Sequence, residues 1–186
     1  MAKKSNKTGL VLNLLVIIFA AIALSTLFFA VIGTNAIAAG KVVGDATLFK
    51  GTDVLTAMFA DGISLDMSGE ANALYLLRAA EDTAFVTTMF SWGYLITLCA
   101  SAVALVFAVL NIIGLRFKLI NRIVGIALVL VAVATFVFAI LVAGEFTNVL
   151  GEGILETGTK GFISFGSYLL VGGLLAGLLE IGNSKN

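Results

Sequence analysis

The chain has no proline and no histidine, and Cys99 is its one cysteine. Without proline no helix carries a proline kink and no loop a proline turn. Histidine is absent, and with a single thiol the chain offers no thiolate cluster for zinc or iron–sulfur and no disulfide within itself. Charge is scarce as well. Acidic and basic residues make up 12% of the 186 residues, against about 25% in a soluble domain. The 11 basic and 11 acidic side chains cancel, so bulk charge offers nothing to a nucleic acid. No cofactor is implied.

What remains is hydrophobic: 60% of the residues, concentrated in four runs. Gly9–Thr34, Thr83–Gly114, Ile123–Gly144 and Gly161–Leu179 contain no Asp, Glu, Lys or Arg. A run of about 18 or more such residues spans a bilayer, whereas a soluble helix keeps one wet face. The expected fold is an all-α membrane protein, one domain of residues 1–186. It has spans near 9–34, 83–114, 123–144 and 161–181, outer loops 35–82 and 145–160, and an inner loop 115–122. Span 1 would be about 39 Å long as a helix, against about 30 Å of hydrocarbon, so it must tilt or protrude. Lys3, Lys4 and Lys7 before an apolar run, and Ala36-Ile37-Ala38 after it, imitate a secretory signal. The run has 26 residues, whereas a signal core has about 7–15, so it reads as a retained span.

Charge placement sets the orientation. Lys3, Lys4, Lys7, Arg116, Lys118, Arg122 and Lys185 fall in the three short segments on the side of the termini. Lys41, Lys50, Arg78 and Lys160 fall in the two longer loops. Short basic segments stay inside, so both termini are expected in the cytoplasm. Ten of the eleven acids lie in the outer loops, leaving that face negative.

The first outer loop, of 48 residues, is too long for a bare connector. Lys41–Phe49 has strand composition. Thr52 is placed to cap a short helix over Asp53–Phe59, and Ala60-Asp61-Gly62 reads as a turn. Ser68 is placed to cap a helix from Gly69 to Asp82, with Leu74, Tyr75 and Leu77 close together, running on into span 2. That continuity would lift Trp92 and Tyr94 to the outer headgroups as anchors. Residues 115–122 form a tight hairpin between spans 2 and 3. The glycines and acids of Glu145–Lys160 suggest a mobile connector with at most a helical turn.

Spans associate through small residues that let backbones approach. The helix-packing candidates are Ala23 and Ala30 in span 1, Gly93, Ala100 and Ala104 in span 2, Gly125 and Ala132 in span 3, and Gly166, Gly173 and Gly177 in span 4. Gly173 and Gly177 form a GxxxG. Asn13 and Asn111 are placed to meet across spans 1 and 2, or to bond nearby backbone. Glu180 falls at the inner surface, as a solvated carboxylate or one neutralised by Arg116, Lys118 or Arg122. Ser91, Ser101, Ser164 and Ser167 are expected to bond across helices. Cys99 lies mid-span and reads as packing.

No Walker, HExxH or GxSxG motif is present. The spans offer only Ser, Thr and Tyr, so catalytic and metal sites are expected to be absent. The expected role is a non-enzymatic scaffold or accessory subunit working through a protein partner or self-association in the bilayer. An oligomeric channel or pore-forming subunit is the alternative, and a lipid-handling protein a weaker one.

This order of short basic N-terminus, span, long outer loop with a strand, span hairpin, short outer loop and span resembles the claudin and PMP22-like four-span proteins in topology. The claudin first-loop signature of Trp, Gly-Leu-Trp and two Cys is missing; Trp92 and Cys99 both lie in span 2. No junction-forming role is therefore carried over. Leu48-Phe49-Lys50-Gly51-Thr52-Asp53 also makes the chain similar to uncharacterised small four-span proteins of Gram-positive bacteria and their wall-less relatives. That likeness implies a bacterial plasma membrane and no activity.

Overall fold

The computed structural model describes residues 7–115, 117–150 and 157–183. Four helical segments are long and apolar enough to cross a bilayer: Thr8–Phe28, Ala84–Ile112, Lys118–Glu145 and Phe165–Asn183. The first is α1 (Lys7–Ser25) closed by a 3-10 turn, Thr26–Phe28. The second and third are the long helices α4 (Ala84–Ile112) and α5 (Lys118–Glu145). The fourth is split, α6 (Phe165–Leu169) then α7 (Val171–Asn183).

Polarity in this bundle is inverted relative to a soluble protein. Its exposed side chains include Leu14, Ile18, Val106, Leu130, Val137 and Leu178, while Asn13, Thr26, Thr97, Asn111, Thr135 and Glu180 are buried. Lipid-facing apolar groups cost nothing in hydrocarbon, and polar groups there need partners inside the protein. α4 and α5 join in a tight turn, with Gly114 at φ 100° and the Leu115 N–H bonded to the Leu110 carbonyl, but the inner loop is shorter than the expected 115–122 because α5 already begins at Lys118.

Apolarity alone misplaces two span ends. Ala30–Ala38 is not helix but β1, and β2 (Lys41–Lys50) returns antiparallel to it. The segment Ala30–Thr34 belongs to the run read as span 1, so α1 with its turn is shorter than expected and needs no large tilt. Val31 and Ile32 are β-branched and bury fully in the strand. The second outer loop is likewise not a bare connector. It contributes β3 (Asn148–Leu150) and β4 (Thr157–Ile163), and β4 takes in Gly161–Ile163 from the fourth run. The sheet order is β2-β1-β4-β3, all neighbours antiparallel. The fold is therefore helical with a small sheet rather than all-α. Gly151, Gly153, Glu152 and Glu156 lie outside the described residues, as do Lys3, Lys4, Arg116 and Lys185.

The strand expected over Lys41–Phe49 is present. Ala39 and Gly40, both at positive φ (51° and 69°), make the two-residue turn before it. α2 (Gly51–Phe59) begins two residues earlier than expected, so Thr52 sits inside its first turn and does not cap it. Instead the Asp53 carboxylate accepts from the Lys50 N–H at 2.7 Å and from the Ser68 hydroxyl at 2.9 Å. Ser68 accepts in turn from the Ala71 N–H at 3.0 Å, capping α3 (Gly69–Ala79) as expected. One carboxylate thus ties the starts of α2 and α3 together.

α3 stops at Ala79 and does not run into α4. The chain turns at residues 80–83, where the Thr83 hydroxyl donates to the Leu77 carbonyl. Leu74 is buried, with Tyr75 and Leu77 packed beside it. The sheet, α2 and α3 share one apolar core with the adjoining ends of α4 and α5: Val31, Ile32, Phe49, Val54, Leu74, Phe90, Tyr94 and Val142 belong to it. They form a cap on one end of the bundle, the sheet end. The other end holds the start of α1, the end of α7 and the α4–α5 hairpin.

Candidate functional site

At the terminal end each long helix turns an asparagine inward: Asn13 on α1, Asn111 on α4, Asn121 on α5 and Asn183 on α7, all buried. The Asn13 side chain is the hub. Its Nδ2 donates to the Gly9 carbonyl at 2.8 Å, while its Oδ1 accepts from Asn183 at 2.5 Å and from Asn111 at 3.5 Å. The expected meeting of Asn13 and Asn111 is present, and so is the local backbone bond. Asn121 and Asn183 were not anticipated.

Glu180 is fully buried, not solvated at a surface. It lies one turn beyond Ala176, a member of the apolar cluster of Val16, Ala20, Ala104, Ala108 and Leu128. Neither Glu180 oxygen has a hydrogen-bond partner among the described residues, and neither do Asn111 Oδ1 and Asn121 Oδ1. Lys118 and Arg122 are exposed and do not neutralise it; Arg116 lies outside the described residues. The span interior thus does hold an ionisable group, contrary to the reading of the apolar runs. Its signal was spacing: Glu180 lies three residues past Gly177 and seven past Gly173, on the face that packs inward.

Towards the sheet end the buried hydroxyls pair. Tyr94 and Thr26 share a hydrogen bond of 3.0 Å, and Thr97 and Thr135 one of 3.1 Å. Tyr94 is thus a buried tie between α4 and the 3-10 turn that closes α1, not a headgroup anchor, while Trp92 is half exposed. The serines behave differently from expectation. Ser91 donates to its own helix at the Thr87 carbonyl, Ser167 to the Val31 carbonyl of β1 at 2.5 Å, and Ser101 is buried without a partner among the described residues. Ser164 is joined to Val31 through its backbone N–H at 3.0 Å. Cys99 is exposed on α4, not packed in the core.

The small residues are placed as follows. A Cβ on Gly125 would meet the Gly177 carbonyl at 2.7 Å, and one on Gly177 the Gly125 carbonyl at the same distance. Gly173 has room, with its nearest neighbours Thr97, Leu128 and Ala132 at 3.4–3.6 Å. Gly93 sits over the Thr135 hydroxyl. Ala104 and Ala132 are buried, Ala100 is partly buried, and Ala23 is buried beside Gly172. Ala30 lies in β1, where Gly166 of α6 packs on its carbonyl.

The cap is clamped to the bundle. Gly51, the first residue of α2, rests on the Tyr94 hydroxyl and the Thr26 carbonyl, and Gly161 of β4 rests on the Ala143 carbonyl of α5. Its described residues hold eight acids (Asp45, Asp53, Asp61, Asp66, Glu70, Glu81, Asp82, Glu145) and four bases (Lys41, Lys50, Arg78, Lys160). Arg78 is engaged, donating to the Met58 and Ala60 carbonyls. β2 is an edge strand with Val42, Val43 and Leu48 exposed, and Phe59 at the end of α2 and Ile63 and Leu65 in the loop after it are exposed as well.

No family model, no curated protein and no solved structure matches the chain.

Proposed function

We propose that this is a non-enzymatic integral membrane protein that works by association, as a scaffold or accessory subunit. The observation that carries the reading is the cap: a platform clamped to the spans, excess acidic, with exposed apolar side chains on its edge strand and on the loop after α2. Exposed apolar patches outside the lipid-facing surface mark contact sites, and a rigid platform loses little entropy on binding. Its charge disfavours a second copy and favours a protein partner with a basic surface. The short basic segments at the terminal end favour an orientation with the cap outside and the termini in the cytoplasm, and the membrane we propose is a bacterial plasma membrane.

The test uses single cysteines in a Cys99→Ser background, with Val43→Cys and Leu65→Cys on the cap and Leu130→Cys on the lipid-facing side of α5. After cross-linking in native membranes, the cap positions should yield a protein adduct whose linked peptide is rich in Lys and Arg. Reversing Asp45, Asp61 and Asp66 to Lys should abolish it. Adducts only with a second copy, or none beyond those of Leu130→Cys, would overturn the proposal. Ring-like oligomers that conduct in reconstituted bilayers would replace it with the pore-forming alternative, and lipid adducts alone with the lipid-handling one.

A further inference from the structure

We propose that the terminal end of the bundle binds a monovalent alkali cation through the Glu180 carboxylate and the side-chain carbonyls of Asn111 and Asn121. All three residues are at least nine-tenths buried, and they offer four oxygens that have no hydrogen-bond partner among the described residues. They belong to one end of one interior. Asn111 is joined to Asn13, Asn13 is joined to Asn183, and Asn183 lies three residues from Glu180 on α7. Asn121 lies one turn before Gly125, the residue of α5 that touches Gly177 and Ile181 of α7.

The chemistry follows from counting acceptors. A carboxylate in an apolar interior is costly unless a positive charge or a proton accompanies it. Ionised carboxylate and amide carbonyl oxygens only accept. A proton on Glu180 would bridge one pair of these oxygens and leave the others unmet. A hard cation coordinates several oxygens at once. Charge balance selects the valence. Among the described residues no three His, Cys, Asp or Glu come together, so a divalent ion would meet one carboxylate and remain net positive in hydrocarbon. A monovalent ion is neutralised by Glu180 alone. Asn13 Oδ1, which also accepts from Asn183, accepts from the Asn111 Nδ2 and leaves the Asn111 carbonyl oxygen free to coordinate.

The experiment is thermal unfolding of the purified full-length protein in lipid nanodiscs, at constant ionic strength. Sodium or potassium chloride is exchanged for choline chloride. The expected result is a Tm that climbs with alkali cation, by roughly 5–10 °C at a hundredfold excess over Kd. Glu180→Gln should abolish the dependence while matching or exceeding the wild-type Tm in choline. Sodium-23 NMR line broadening on the wild-type protein, reversed by potassium, gives a readout that needs no variant to fold. A Tm that responds to pH but not to the cation, a dependence that survives Glu180→Gln, or unbroadened sodium lines would overturn the proposal.

Discussion

Replacing Gly177 by Ala should destabilise the bundle, whereas replacing Gly173 by Ala should not. The two glycines form one GxxxG, but only one of them makes a close approach. At Gly177 the new Cβ would lie 2.7 Å from the Gly125 carbonyl oxygen and 3.0 Å from the Val129 nitrogen, both backbone atoms that cannot rotate away. Restoring an ordinary C···O contact of about 3.3 Å requires α5 and α7 to part by about 0.6 Å. Overpacking of this kind costs about 1–3 kcal/mol, and the better helix propensity of Ala returns at most about 1. The net loss is about 1–2 kcal/mol, a fall in Tm of roughly 2–8 °C. At Gly173 the same methyl meets only side-chain carbons of Thr97, Leu128 and Ala132 at 3.4–3.6 Å, so Gly173→Ala should be neutral or slightly stabilising. Gly125→Ala should cost about as much as Gly177→Ala, and the double variant less than their sum, because one separation of the helices relieves both clashes. Thermal unfolding in detergent and in nanodiscs measures all four. Equal losses at positions 173 and 177, or an unchanged Tm for Gly177→Ala, would refute the packing.

Tyr94→Phe removes the hydroxyl bonded to Thr26 at 3.0 Å; it should cost about 0.5–1.5 kcal/mol, and a double cycle with Thr26→Val should return a coupling near 0.6. Asp53→Ala removes the acceptor shared by the Lys50 N–H and the Ser68 hydroxyl; losing this cap should cost about 1–2 kcal/mol and speed amide exchange in residues 60–70 more than in the spans. Ala39→Gly relieves a left-handed residue at φ 51° in the β1–β2 turn and should raise stability by up to about 1 kcal/mol in the same unfolding assay.

The four spans were legible because each run exceeds the bilayer requirement and lacks charge. Their ends were not, because apolarity marks burial rather than helix. Ala30–Thr34 and Gly161–Ile163 are as apolar as the spans they extend, yet they pair as strands, Ile32 opposite Ile163 and Gly33 opposite Phe162. That pairing joins residues far apart in the chain, which local pattern does not report. Local signals read correctly include the Ser68 cap and the strand beginning at Lys41. The Asn13–Asn111 contact followed from the scarcity of strong polar groups near the spans. Glu180 was missed because the charge that ended its run was taken for the edge of the membrane. The chain stays helical to Asn183, and the glycine-bearing face of α7 carries Glu180 inward.

The cap and the α4–α5 hairpin lie at opposite ends of four helical segments long and apolar enough to cross a bilayer. Cysteine labelling in sealed membrane vesicles tests it most directly, using a membrane-impermeant maleimide on single cysteines at Asp45, Asp61, Thr159, Lys118 and Leu130 in a Cys99→Ser background. The account predicts that positions 45, 61 and 159 label from one side, 118 only after the vesicles are opened to the other, and 130 from neither. Labelling of position 118 from the same side as position 45, or ready labelling of position 130, would contradict it.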